Sequence, residues 1–203
     1  VDLIIVRHAR PEREEKSEGE GPADPGLSQT GLMQAEAIAD FLESENLDHV
    51  ISSSMKRAYE TADPLAQRLG FEVIQRDDLR ESDHNSSAYV PVEEMTLDSP
   101  AVQAYINDPL AMFEGDYEGF RKRVHEAFDQ IVKDFPSQKV AVVCHGMVIA
   151  VYLQILWGLE NPLSIRPDYT GVTRVEASGS GLRTVRSINE TGHVRHLLER
   201  PKF

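Results

Sequence analysis

Cysteine occurs once in this chain of 203 residues, at position 144. A single cysteine excludes an intrachain disulfide framework and a cysteine-built zinc cluster. Its apolar neighbours make Cys144 a core thiol rather than a reactive one. No run of about 18 or more apolar residues occurs, so no membrane-spanning helix is expected. The opening Val1-Asp2-Leu3 is not the basic-then-apolar pattern of a signal peptide, and the expected location is the cytoplasm. Positive charge is also scarce. There are 21 Lys and Arg against 34 Asp and Glu, a formal net charge of −13. Such a field repels a nucleic-acid backbone or an anionic membrane, so neither is an expected partner. It also repels small anions, unless cations are concentrated locally in a pocket.

What is present is ample core material. The hydrophobic share is 40%, which argues against disorder, and the length suits one domain over 1–203. Leu3-Ile4-Ile5-Val6 is a short apolar run rich in β-branched residues, the pattern of a strand buried on both faces. A polar stretch from Glu12 to Pro25 reads as loop. Ser28 is a plausible cap for a helix to about Ser44, with Leu32, Ala35, Ile38 or Ala39, and Leu42 on one face. Val50-Ile51 ends a second strand. Ser52-Ser53-Ser54 offers caps for a helix striped by Ala58, Ala62, Leu65 and Leu69 and closed by Gly70. Phe71 to Ile74 is a third strand.

From about 82 to 116 the periodicity is weak, and this segment reads as a variable insertion or lid with one or two short helices. An amphipathic helix follows, through Phe120, Val124, Phe128, Ile131 and Phe135. Val140 to Cys144 is another buried strand, leading into an apolar helix that reaches about Trp157. Strands at roughly 171–177 and 182–187, joined by Ser178-Gly179-Ser180-Gly181, form a hairpin. The alternation predicts an α/β fold, a three-layer α/β/α sandwich around a mostly parallel sheet.

In such sheets ligands bind beyond the carboxyl ends of the strands. Three polar knots fall there: Arg7-His8, the segment from Ser53 to Arg57, and His145-Gly146. A neutral imidazole can attack phosphorus, provided donors surround the phosphoryl oxygens and an acid serves the leaving group. His8 lies at a strand end between Arg7 and Arg10, whose charges favour the neutral imidazole. Arg57 and His145 lie at helix starts, where free N–H groups and the helix dipole favour anions.

At these residues the chain resembles the histidine phosphatase, or phosphoglycerate mutase-like, superfamily, and its phosphatase branch in particular. Leu3-Ile-Ile-Val-Arg7-His8-Ala-Arg resembles the family's Arg-His-Gly signature. Leu27-Ser-Gln-Thr-Gly31-Leu-Met-Gln34-Ala35 is similar to its Leu-Thr-x-x-Gly-x-x-Gln-Ala helix start. Ser53-Ser-Met-Lys-Arg57-Ala58-Tyr-Glu-Thr61-Ala62 is similar to its Ser-Pro-Leu-x-Arg-Ala-x-x-Thr-Ala segment. Val142-Val-Cys-His145-Gly146 matches its second-histidine turn. The resemblance implies a phosphoglycerate mutase-like fold and a phosphohistidine formed on His8. It implies that Arg7, Arg57 and His145 bind the phosphoryl group, with His145 also counted as catalytic, and that no metal or other cofactor is required. The family's Leu-x-Glu pattern falls on Leu79-Arg80-Glu81 and makes Glu81 the proton donor. Arg10 is grouped with the phosphate-binding residues, substrate contact or a surface salt bridge being its alternatives.

Three departures bear on these expectations. Ala9 stands where the family has glycine, so the backbone approach there is expected to differ. The usual Glu-Thr continuation is replaced by Arg10-Pro11-Glu12. The Gly-x-Trp-x-Gly stretch after the acid is replaced by Ser82-Asp83-His84-Asn85, which makes Asp83 a rival donor and removes support for a mutase. The expected activity is therefore hydrolysis of a small phosphomonoester by a histidine acid phosphatase-type enzyme. A phosphoglycerate mutase-type phosphotransferase and a non-catalytic phosphoryl-binding regulatory module are the alternatives. Bland roles remain for other residues. His193 and His196 lack further metal ligands nearby and read as surface or packing residues. The acidic run from Glu12 to Glu20 reads as a solvated loop. Oligomeric state is left open by the sequence.

Overall fold

The computed structural model describes residues 1–113 and 115–199. In chain order the elements are β1 (Asp2–Arg7), β2 (Glu14–Glu15), α1 (Gln29–Leu42), β3 (His49–Ser53), α2 (Lys56–Leu69), β4 (Val73–Arg76), β5 (Ala88–Tyr89), α3 (Pro100–Asn107), α4 (Tyr117–Asp134), β6 (Lys139–Cys144), α5 (Gly146–Trp157), β7 (Val172–Ala177) and β8 (Arg183–Glu190). Six strands form one sheet in the order β4-β3-β6-β1-β7-β8. The strands β4, β3, β6 and β1 run parallel, and β7 pairs antiparallel with both β1 and β8.

Alternation along β1 divides the core. Leu3 and Ile5 pack with Phe128, Ile131, Val148 and Tyr152 on the face covered by α4 and α5. Ile4 and Val6 pack with Ile38, Leu42, Ala62 and Leu65 on the face covered by α1 and α2. A strand buried on both faces needs no polar alternation, which is why β1 and β6 read as continuous apolar runs. The layers are helix, sheet and helix, as expected.

Some local expectations hold and others are corrected. Ser28 does cap α1, its side chain accepting from Gly31 N, but Leu32 lies 47% exposed. Ala35, Ile38, Ala39 and Leu42 are buried as expected, and Gly31 and Gln34 complete the buried face in place of Leu32. The residue before α2 is Met55, whose own side chain makes no cap; the Asp24 carboxylate accepts from Lys56 N at 3.0 Å in its place, and the Ser54 hydroxyl donates to Asp77. Gly70 closes α2 at φ 70°, the left-handed conformation that glycine adopts without strain. The stretch from Glu12 to Pro25 is not wholly loop. Glu14 and Glu15 pair antiparallel with Tyr89 and Ala88, so a two-stranded ribbon ties the chain just after His8 to the 82–116 insertion. Lys16 N to Ser87 O and Ala23 N to Ser86 O extend that seam.

Candidate active site

Arg7 and His8 lie at the carboxyl end of β1, Arg57 in the first turn of α2, and His145 immediately before α5. All sit over the same end of the sheet. The rings of His8 and His145 are 5.1 Å apart, and His8, Arg57 and His145 are each at most 2% exposed. His8 Nδ1 lies 2.7 Å from the carbonyl oxygen of Ala9. A carbonyl only accepts, so Nδ1 carries the hydrogen and the Nε2 lone pair is left for chemistry. Burial, then the charges of Arg57 and Arg7, hold the His8 imidazole well below its usual pKa. Burial, then Arg57, His8 and Arg7, do the same to His145. Both rings are neutral at pH 7.

Five buried nitrogens here have no hydrogen-bond partner among the described residues: Arg7 Nε, Arg57 Nε and Nη1, and both ring nitrogens of His145. Buried donors are almost always paired, so this concentration on three neighbouring side chains fits a site built for an anion. Arg7 is steadied through another nitrogen, which donates to Pro167 O at 2.8 Å, and by the ring of Tyr169 at 4.1 Å. Arg57 is held by Asp83 at 2.9 Å and lies over the ring of Tyr89 at 4.7 Å. Each cation therefore keeps donors aimed inward while other contacts fix its pose.

Glu81 closes the opposite side. Its Oε2 accepts from Met147 N at 2.9 Å and its Oε1 from Ser82 N at 3.0 Å. A Cβ on Gly146 would lie 3.6 Å from Arg7 Nε and 3.9 Å from Glu81 Oε2, so Gly146 is wedged between the cation and the acid. Burial, then the neighbouring charge of Asp83, pushes the Glu81 carboxyl up to about 7. Asp83 is one-third exposed and engaged with Arg57. The two carboxylates have thus separated in character, one a buried acid and the other a counter-ion.

Arg10 is placed differently from Arg7 and Arg57. Its Nε donates to Glu93 at 2.5 Å and its Nη2 to Glu94 at 2.8 Å, both in the insertion. Two carboxylates absorb its charge, which makes it an anchor for the insertion. Tyr89, Glu93 and Tyr169 went unrecognised in the sequence. The Tyr169 hydroxyl donates to Glu93, and its ring lies 5.7 Å from that of His8.

The motif residues that touch no anion shape the loop after His8. Ser28 Oγ donates to Arg10 O, Arg10 N donates to Gln34 Oε1, and Ala9 N donates to Thr61 Oγ1. A Cβ on Gly31 would sit 2.0 Å from Arg10 O, so only glycine lets α1 press against that loop. The Ala9 methyl is accommodated among Leu27 and Ala35.

A profile of the histidine phosphatase superfamily (branch 1) matches residues 3–191. The chain belongs to that superfamily. It is 34% identical over 164 residues to phosphoserine phosphatase 1 of Hydrogenobacter thermophilus, covering 79% of this chain and 78% of that protein. Among solved structures, YhfR of Bacillus stearothermophilus superposes with a TM-score of 0.75 at 22% identity, over 96% of this chain and 99% of that one. The phosphoserine phosphatase of Entamoeba histolytica, solved with 3-phosphoglyceric acid, gives a TM-score of 0.73 at 22% identity, over 95% and 98%. The structural likeness is one of fold. The sequence match extends to phosphatases and, at 24% identity over 163 residues, to the probable phosphoglycerate mutase GpmB of Yersinia pestis.

Of the other histidines, His84 sits beside the acid, its Nδ1 2.8 Å from the carbonyl oxygen of Glu81, whereas His193 and His196 lie elsewhere. His193 stacks on Phe41 with ring centroids 4.6 Å apart, and His196 lies in a short turn near the end of the described chain. Among the described residues no group of three or more His, Cys, Asp or Glu is arranged to hold a metal ion. No helix among them is long and apolar enough to cross a membrane.

The raised Glu81 pKa has a consequence for stability. Its folded value, about 7, exceeds the ordinary 4.5, so the native state favours the neutral acid. The stability this group contributes is complete below pH 4.5 and is lost as pH rises through 7. Glu81→Gln, permanently neutral, is expected to gain on the parent by about 3 kcal/mol between pH 4.5 and pH 8. Urea unfolding of both proteins at the two pH values measures that gain. A difference that does not change with pH contradicts the buried-acid assignment.

Proposed function

We propose that the protein hydrolyses a small phosphomonoester through a phosphohistidine on His8. The observation that carries this reading is the neutral His8 imidazole, whose Nδ1 hydrogen is held by the Ala9 carbonyl so that Nε2 is the nucleophile. Arg7, Arg57 and His145 then donate to the phosphoryl oxygens and stabilise the charge that spreads over them in the transition state. As the Nε2–P bond forms, the P–O bond to the alcohol breaks and Glu81 gives its proton to the leaving oxygen. In the second step Glu81, now a carboxylate, takes a proton from the water that attacks phosphorus. The N–P bond breaks, inorganic phosphate leaves, and His8 and Glu81 return to their starting states. A carboxyl with a pKa near 7 suits both halves of this cycle.

The match to a phosphoserine phosphatase supports release of phosphate to water and makes phosphoserine a reasonable first substrate. Arg10 is left out of the phosphate-binding set because Glu93 and Glu94 occupy it.

The test is to mix enzyme with excess phosphoserine, quench in alkali, where phosphohistidine survives, and map the peptides. The expected result is the added mass of one phosphoryl group on the peptide carrying His8, with inorganic phosphate accumulating over many turnovers. Turnover with no modification, or with modification elsewhere, overturns the reading. A phosphorylated His8 whose phosphoryl group moves only to a second alcohol indicates a mutase instead.

A further inference from the structure

One half-buried cation behind the site has no part in the reaction just described. Arg123 projects from α4, and its Nη1 donates to the carbonyl oxygens of both Asp78 and Arg80, each at 2.8 Å. Its guanidinium lies over the Phe120 ring at 4.8 Å. Among the described residues it forms no ion pair, although a charge removed from water is normally matched by an opposite one. The two carbonyls flank Leu79, which is fully buried, and Glu81 follows directly. One guanidinium therefore pins the backbone on both sides of Leu79, while Met147 N and Ser82 N fix the carboxylate beyond it. The negative charge that acts most strongly on Arg123 is that of Glu81, followed by Asp78.

We propose that Arg123 is a positioning residue for the proton donor, resting on the assignment of that role to Glu81. By clamping the carbonyls of Asp78 and Arg80 it holds Glu81 against the leaving oxygen. Its charge adds to that of Arg57, the cation that acts most on Glu81, in favouring the carboxylate that Glu81 becomes once its proton has gone, the form needed to activate water. Arginine does both tasks with one planar group, whereas methionine keeps only the stem and glutamine keeps donors without charge.

The experiment uses Arg123→Met and Arg123→Gln, each alone and combined with Glu81→Gln, and follows kcat, KM and their pH dependence. Arg123→Met is expected to lower kcat by about 10- to 100-fold, because a small misplacement of a reacting group is costly. KM should stay within about twofold, since no group that holds the phosphate is touched. Arg123→Gln is expected to move the alkaline limb of kcat to higher pH, because the nearby positive charge that favours the Glu81 carboxylate is gone. In the Glu81→Gln background both effects should vanish, as residues acting through one group are non-additive. An unmoved limb in Arg123→Gln, or a loss in Arg123→Met that persists undiminished beside Glu81→Gln, overturns the proposal. If Arg123→Met fails to fold, the limb of Arg123→Gln decides alone. Failure of the donor assignment itself is visible separately, as full activity of the single Glu81→Gln variant.

Discussion

His8→Ala is expected to lower kcat for p-nitrophenyl phosphate by at least about 10³-fold, the scale of losing a nucleophile that acts with a surrounding set of donors. No neighbour is equipped to replace it. The His145 ring is tilted 58° to that of His8, with centroids 5.1 Å apart, and it stands before α5 rather than at the end of β1. Burial pushes the Cys144 thiol far up, so no thiolate forms at neutral pH. The fold should survive the change. The ring of His8 contributes one hydrogen bond to its neighbour's carbonyl, while its backbone N–H stays paired with Cys144 O. Phosphate affinity is expected to remain within about tenfold, because the arginine donors are untouched. Activity of His8→Ala within tenfold of the parent, in protein with an unchanged circular dichroism spectrum, would refute the nucleophile assignment.

Arg57→Met is the second large effect, and its interest lies in the opposite directions of its two consequences. The guanidinium is almost wholly buried, yet among the described residues Nη2 alone has a hydrogen-bond partner. Removing a cation that meets transition-state charge costs about 10³- to 10⁵-fold where an arginine finger has been measured, and a loss of kcat/KM of about 10³-fold or more is expected here. Stability is expected to move the other way. An incompletely paired buried charge is itself destabilising, and replacing it by an apolar side chain of similar length is often neutral or favourable. The Asp83 carboxylate left behind is one-third exposed and can be solvated. Thermal unfolding should therefore show a Tm equal to or above that of the parent while activity collapses. A Tm lowered by more than about 5 °C would mean that Arg57 serves the fold as much as the site.

What could be read in advance follows from how each group is positioned. Arg7, His8, Arg57 and His145 lie at or directly beyond the ends of strong local elements. Identifying the apolar runs of β1 and β6 was enough to locate the residues that follow them. Glu81 was harder, because it follows a short helical turn with little periodicity, and Asp83 competed with it. Burial separates the two, and burial of a loop carboxylate depends on distant elements, here α5 and the insertion. Tyr89 was beyond reach for a similar reason. A two-residue strand has no period to detect, and β5 exists only because β2 pairs with it from 73 residues earlier in the chain. Arg123 sits among the charged positions of an amphipathic helix, where the ordinary expectation is solvent. Only the fold brings two carbonyl groups to it. Gly31, Gln34 and Thr61 were visible as motif letters, but their work of holding the backbone of Ala9 and Arg10 emerges from three-dimensional proximity.

The ribbon of β2 and β5 also sets a rule for anyone exchanging the cover of this enzyme for that of a relative. A graft of residues 82–116 alone would arrive with one strand of a pair and leave its mate behind at Glu14–Glu15. It would also strand Arg10, whose two carboxylate partners come from the transplanted piece. The transferable cassette is discontinuous, comprising the cover together with the loop after His8. Substitutions in one half are therefore best screened jointly with the other.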